Sequence, residues 1–250
     1  MGTRGRPCHH ATVYDMAARL STKNALLALG VVAVTAAALR KGKKRKRTVA
    51  GGLGGYPYPR PRIVPGDVPH AQGIGVPAFP IADSSKHQRR LDVSYKDVNG
   101  KWHNRMSRSF HAIRAEGARW HAGIDLFGNP GDVIVAPEAG RIINVQNFLN
   151  TIDGAGPDAM LIDTDPGLMV LLGEIDEEAF GLKVGDRVER GQPVAKIQQT
   201  TKGSHMLHIE TYRTGVTKNQ RWLKGKPAPS HLLDPTDYLL RAKAAAEGIA

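Results

Sequence analysis

Met206-Leu207-His208-Ile209-Glu210 alternates like a strand, with Leu207 and Ile209 on one face and Met206, His208 and Glu210 on the other. Some eighty residues earlier stands Trp120-His121-Ala122-Gly123-Ile124-Asp125-Leu126, with an imidazole and a carboxylate four apart. Imidazole nitrogen and carboxylate oxygen both suit zinc. Three protein ligands, His121, Asp125 and His208, leave a fourth coordination position open, as catalytic rather than structural sites do. The spacing alone is not specific. An H-x-x-x-D pattern recurs by chance, and a solitary His in a chain of ten histidines is more often structural.

Outward from these stretches the pattern is β. Leu91 to Tyr95 alternates, Val98-Asn99-Gly100-Lys101 is a turn, and Trp102 to Phe110 can extend the sheet. Short strands are expected at Val133 to Ala136, Arg141 to Val145, Met160 to Ile162, Leu168 to Leu172, Arg187-Val188, Pro193 to Ile197 and Met206 to Tyr212. Pro235 to Glu247 reads as a helix with an Ala-rich end. Asn147 to Asp158 reads as a surface loop. The fold class is therefore mostly β: an antiparallel sandwich or barrel-like core with an N-terminal hydrophobic helix and a short C-terminal helix.

From about Phe110 to Leu239 the chain resembles the LytM/lysostaphin-type zinc metalloendopeptidases, which cut peptide cross-links in bacterial cell walls. The resemblance rests on five blocks in order: His121 to Asp125, Asp132 to Gly140, Leu182 to Gln192, His208-Ile209-Glu210 and Asp234 to Leu239. It implies that His121, Asp125 and His208 hold Zn2+ and that the partner is peptidoglycan. The family's closing H-x-H places a catalytic His where this chain has Met206, and His205 has the wrong parity to replace it unless a bulge re-aims it. A second catalytic His falls in a "Y-x-H-L"-like run that here reads Val170-Leu171-Leu172-Gly173-Glu174-Ile175, and no His lies between Phe127 and Ser204. Glu174 can stand in by position only. No catalytic residue is assigned, and Met206 and Gly173 are expected at the rim where the imidazoles would sit, with His205 turned away. Glu210 is a candidate neighbour of His208, with a solvent-facing rim position as its alternative.

Net charge is +12, but residues 1–50 hold 11 of the 35 Lys and Arg against a single acid, Asp15. The basic character thus belongs to the N-terminus. Cys8, the only cysteine, excludes an intrachain disulfide, and Cys8-His9-His10 reads as tail rather than metal site. After a polar leader, 1–22, comes the uncharged run Ala25 to Leu39, short for a bilayer span of about 20 residues. With its flanks, 23–40 reads as a transmembrane helix; a cleaved signal and a buried core helix are the alternatives. Arg40 to Arg47 carries seven basic residues, suited to anionic lipid or, less readily, nucleic acid. Their position after the run would place the C-terminal domain on the cytoplasmic side, whereas a wall enzyme faces outward. A virion membrane reconciles the two; a bacterial cell envelope is the other location. The remaining segments are a Gly/Pro-rich linker to residue 83, a peptidase-like domain over 84–240 and a tail over 241–250.

Two function classes follow. One is a membrane-anchored domain with a zinc site, degenerate in catalysis, acting in cell-wall binding or as a structural component of a phage particle or envelope complex. The other is an active zinc endopeptidase cleaving peptidoglycan cross-bridges, such as a virion-associated lysin. The missing histidines favour the first, because general acid–base help contributes about 10²–10⁴ in rate.

Overall fold

The computed structural model describes residues 68–71, 75–97, 99–103, 106–148, 156–199 and 205–249. Within them are fourteen strands and one α-helix. The strands are β1 (Tyr95–Lys96), β2 (Trp102–His103), β3 (Ile113–Arg114), β4 (Arg119–Trp120), β5 (Ile124–Phe127), β6 (Val133–Val135) and β7 (Gly140–Asn147), then β8 (Asp158–Thr164), β9 (Leu168–Asp176), β10 (Arg187–Val188), β11 (Pro193–Ile197), β12 (Met206–Arg213), β13 (Trp222–Leu223) and β14 (Leu232–Leu233). The helix is α1 (Thr236–Ala246).

Nine strands form one branched antiparallel sheet. Its main path runs β10-β7-β8-β9-β11-β6, and β12 joins β9 while also pairing β5 and β14. The sheet does not close into a barrel. Two small sheets, β1-β2 and β13-β4-β3, complete the β structure.

The centre of the sheet is buried on both faces, so its strands are near-continuous apolar runs rather than alternations. Met160, Leu161 and Ile162 of β8 pair with Leu172, Leu171 and Val170 of β9, and all six are buried. The opposite edge of β9 is shared. Leu168 to Gly173 pairs with β12, and Ile175 and Asp176 pair with β11. In α1, Tyr238, Leu239 and Ala242 recur at helical spacing and are buried. The Asp234 carboxylate accepts the Thr236 N–H at 2.9 Å and so holds the first turn.

Four expectations are adjusted. Leu91 to Tyr95 yields strand only at Tyr95, because Asp92, Val93 and Ser94 are all buried and Ser94 Oγ donates to the Phe110 carbonyl rather than joining a ladder. β9 continues four residues past Leu172. Residues 68–71 and 75–83 pack on the core: Ala71, Phe79 and Ile81 are buried, and His70 and Ile81 bridge to Asp234 and Ile134. Residues 241–246, assigned to the tail, belong to the C-terminal helix, which spans Thr236–Ala246 much as its sequence reads, with Ala242 and Ala244 buried. Residues 1–22, 23–40, the Arg40–Arg47 cluster and most of the expected 147–158 loop lie outside the described residues. Among the described residues no helix is long and apolar enough to cross a membrane.

Candidate metal centre and cleft

β5 and β12 lie antiparallel with His208 directly opposite Asp125. His121 enters from the segment before β5. Its backbone N–H donates to the Ala112 carbonyl at 2.8 Å, and its own carbonyl accepts the His111 N–H at 2.8 Å. Gly123 makes the approach possible. A Cβ there would stand 2.3 Å from the Ile209 oxygen and 2.8 Å from His208 Cε1. No residue larger than glycine fits between the two ligand-bearing strands.

The three predicted ligands meet. His121, Asp125 and His208 are 2%, 6% and 5% exposed. His121 Nε2 lies 3.1 Å from Asp125 Oδ1 and 3.1 Å from His208 Nδ1, which is itself 2.7 Å from Asp125 Oδ1. Zinc bonds of about 2.0–2.1 Å in a tetrahedron place donors about 3.3 Å apart. The triangle is thus close to the required size, slightly contracted.

The outer nitrogens fix which lone pairs face inward. His121 Nδ1–H donates to the Ser109 carbonyl at 2.8 Å, and His208 Nε2–H donates to Glu210 Oε1 at 3.0 Å. Metal-bound imidazoles are normally oriented in this way. Glu210 also accepts from the Tyr212 hydroxyl, which accepts the Gln220 N–H at 3.0 Å. Glu210 is buried, so of its two expected positions it takes the one beside His208.

Three inward-facing acceptors cannot satisfy one another, so the pocket requires a cation or a proton among them. The Arg114 guanidinium supplies part of that need. Its Nη2 lies 2.5 Å from Asp125 Oδ2 and 3.1 and 3.3 Å from the two ring nitrogens of His121. A proton supplies the rest. Burial alone would lower the pKa of His208, but its hydrogen bonds to Asp125 and Glu210 outweigh this and push it up to about 10. Burial holds His121 below its ordinary value. Burial would raise Asp125, yet the two imidazoles keep it far below the usual carboxylate range. The donor set therefore fits a divalent metal, which would replace the proton and the guanidinium contact.

The centre opens into a cleft of about 390 Å³ whose lining includes Arg114, Arg119, Trp120, Phe148, Glu174 and Arg221. Phe148 lies 4.9 Å from the His208 ring, and it packs where a Cβ on Gly173 would stand 3.1 Å away. Trp120 and Trp222 of the lining belong to an aromatic cluster: His111 stacks against Trp102 and Trp120 at 4.5 and 4.3 Å and tilts against Trp222 at 4.6 Å.

Neither Met206 nor Gly173 lines this cleft; Glu174 does. The register explains the exchange. Asp158 pairs with Ile175 while Ala159 pairs with Gly173, so Glu174 is the extra residue of a bulge. Its φ of 64° is left-handed, a backbone state in which a non-glycine residue is strained. Bulges re-aim side chains beside functional sites, and this one turns the Glu174 carboxyl into the cleft. Burial pushes its pKa up to about 7. His205 precedes β12 and is not part of the lining.

Some functional neighbours left little trace in the sequence. Arg114 reaches Asp125 through folding alone. Tyr212 was accessible, since 208, 210 and 212 share one strand face.

Residues 119–220 match peptidase family M23. No curated protein matches the chain. Among solved structures it is similar to the catalytic domain of the antimicrobial peptidase lysostaphin from Staphylococcus simulans, at 20% identity over 52% of this chain and 86% of that one, with a TM-score of 0.40. It is also similar to the catalytic domain of the prophage-encoded M23 protein EnpA from Enterococcus faecalis, at 19% identity, 57% and 92% coverage and a TM-score of 0.38. A chain of the SpoIIQ–SpoIIIAH pore-forming complex is similar at 14% identity, 70% and 97% coverage and a TM-score of 0.44. All three candidate ligands, His121, Asp125 and His208, lie within the residues 119–220 that match peptidase family M23.

Proposed function

We propose that this domain is a slow zinc-dependent peptidase of cell-wall peptides, with the Glu174 carboxyl as its proton carrier in place of the two imidazoles. The observation that carries the proposal is the bulge that aims Glu174 into the cleft beside His208. His121, Asp125 and His208 would hold the metal, which when bound polarises the peptide carbonyl and acidifies water. Glutamate serves as general base beside zinc in other metalloproteases. Glu174 would take the proton from the attacking water and return it to the leaving amine. A group that titrates near neutrality can do both. Met206 offers no donor to replace the second imidazole, so turnover is expected to fall about 10²–10⁴ below a site with both partners.

The test is release of new amino groups from purified cell wall by the zinc-loaded full chain. Slow release is expected, abolished by His208→Ala and by Glu174→Gln, with the latter retaining zinc. Well-folded protein holding less than about half an equivalent of zinc would reject the three-ligand assignment. Full zinc without release would favour the second reading, a wall-binding or structural component of a phage particle or envelope complex, to which Met206 points. Anchoring through 23–40, with Arg40 to Arg47 on anionic lipid or nucleic acid, in a virion membrane or bacterial envelope, is proposed on the sequence alone.

A further inference from the structure

One wall of the cleft is cationic. In the β13-β4-β3 sheet, Arg114 stands directly opposite Arg119, and Arg221 precedes Trp222, the partner of Trp120. All three arginines line the cleft. Like charges directly opposite one another weaken a ladder, so the pair is a local cost that the fold itself does not require.

Only one of the three is neutralised. Arg114 is ion-paired to Asp125 at 2.5 Å. The side chains of Arg119 and Arg221 have no hydrogen bond or ion pair among the described residues. Of the carboxylates that line the cleft, Asp125 is engaged by Arg114 and the two imidazoles and Glu210 by His208 and Tyr212, while Glu174 forms no ion pair with Arg119 or Arg221. Arg119 is therefore a half-buried cation short of counter-charge beside a site for a second cation.

We infer that Arg119 and Arg221 bind the free C-terminal carboxylate of the peptide substrate, so that the domain selects peptides that end close to the bond it handles. The inference rests on the reading of the cleft as a peptide site and adds a substrate class to it. A guanidinium presents a planar fork of N–H donors that matches the two oxygens of a carboxylate. With the carboxylate on that fork, the peptide backbone extends past Trp120 toward His121, Asp125 and His208, since all of these line one cleft.

Binding can be measured without hydrolysis, so this inference and the peptidase reading can fail separately. Isothermal titration of the full chain in detergent, zinc-loaded and zinc-free, would compare acetylated tetra-alanine bearing a free C-terminal carboxylate with its C-terminal amide. The free acid is expected to bind about tenfold to a hundredfold more tightly. Arg119→Gln should erase that preference while leaving the amide's affinity and the zinc content unchanged, and Arg221→Gln should reduce it. Equal binding of acid and amide by the wild-type chain would overturn the inference whatever the variants do. So would a preference that survives Arg119→Gln and disappears with zinc, because the carboxylate would then sit on the metal. Inorganic phosphate that binds the wild-type chain while the two peptides do not differ would point to another class of anion and overturn it equally.

Discussion

Replacing Glu174 with Gln keeps the size of the side chain and its left-handed backbone but removes a carboxyl that burial pushes from 4.5 up to about 7. A folded-state pKa raised above the unfolded one means that the native state holds the proton more tightly. The group therefore supports the fold fully below about pH 4.5, and that support is lost as pH rises through 7. At about 1.4 kcal/mol per tenfold change in proton affinity, the full effect is about 3 kcal/mol, and partial solvent access at the cleft brings it to about 2. Urea unfolding of the chelator-treated chain would be followed from pH 4 to 9 for wild type and variant. Below about pH 5 the two should be close. By pH 8 the Gln variant should be the more stable by about 2 kcal/mol, or about 4–8 °C in melting temperature for a domain of this size. Curves that stay parallel over the whole range would refute the argument, because they would mean that the carboxyl meets water freely and is not the near-neutral proton carrier described here.

Gly123→Ala should destabilise the domain by about 2 kcal/mol or more and release metal, since the new Cβ would meet the Ile209 oxygen at 2.3 Å; calorimetry and zinc content check both effects. Tyr212→Phe removes the donor to Glu210 and the acceptor of the Gln220 N–H. It should cost about 1–3 kcal/mol and weaken zinc binding about 10–100-fold, as measured by competition with a chromophoric chelator. Asp158 has its pKa pushed up to about 6, first by burial and then by its hydrogen bond and charge interaction with Glu177. Its contribution is present below about pH 4 and lost as pH rises through 6, so Asp158→Asn should stabilise the fold at pH 8 but not at pH 4. The gain is about 1 kcal/mol or less after allowance for solvent screening, and thermal melts at the two pH values would show it.

The strands legible in the sequence were those with clear stops. Arg187-Val188 and Pro193 to Ile197 were read at their observed limits, with glycines at 185 and 191 marking the turns. Leu168 to Leu172 was read short because Gly173-Glu174 interrupts the apolar run, and that interruption is the bulge that supplies the cleft with its carboxyl. Periodicity reports burial. It cannot report one extra residue in a ladder, which depends on the pairing partner. The meeting of His121, Asp125 and His208 was legible through spacing and family resemblance together, whereas the Arg114 contact was not. Arg114 reaches Asp125 across the gap between two sheets, and nothing local to Ile113 to Ala115 announces a counter-ion. The aromatic cluster was equally hidden, since Trp102, Trp120 and Trp222 are widely spaced in the chain and gather only around His111.

β5 is held to the large sheet by β12 alone among the described residues, and the register that joins them sets Asp125 against His208. An ion held between those two side chains fastens the strands as a rivet does, so occupancy and local opening become one equilibrium, and each tenfold excess of free metal over its dissociation constant adds about 1.4 kcal/mol against fraying. Amide protons of Ile124 to Phe127 should then exchange with solvent at a rate set by the chelator in the buffer, which makes this short strand a gauge of metal supply read by mass spectrometry.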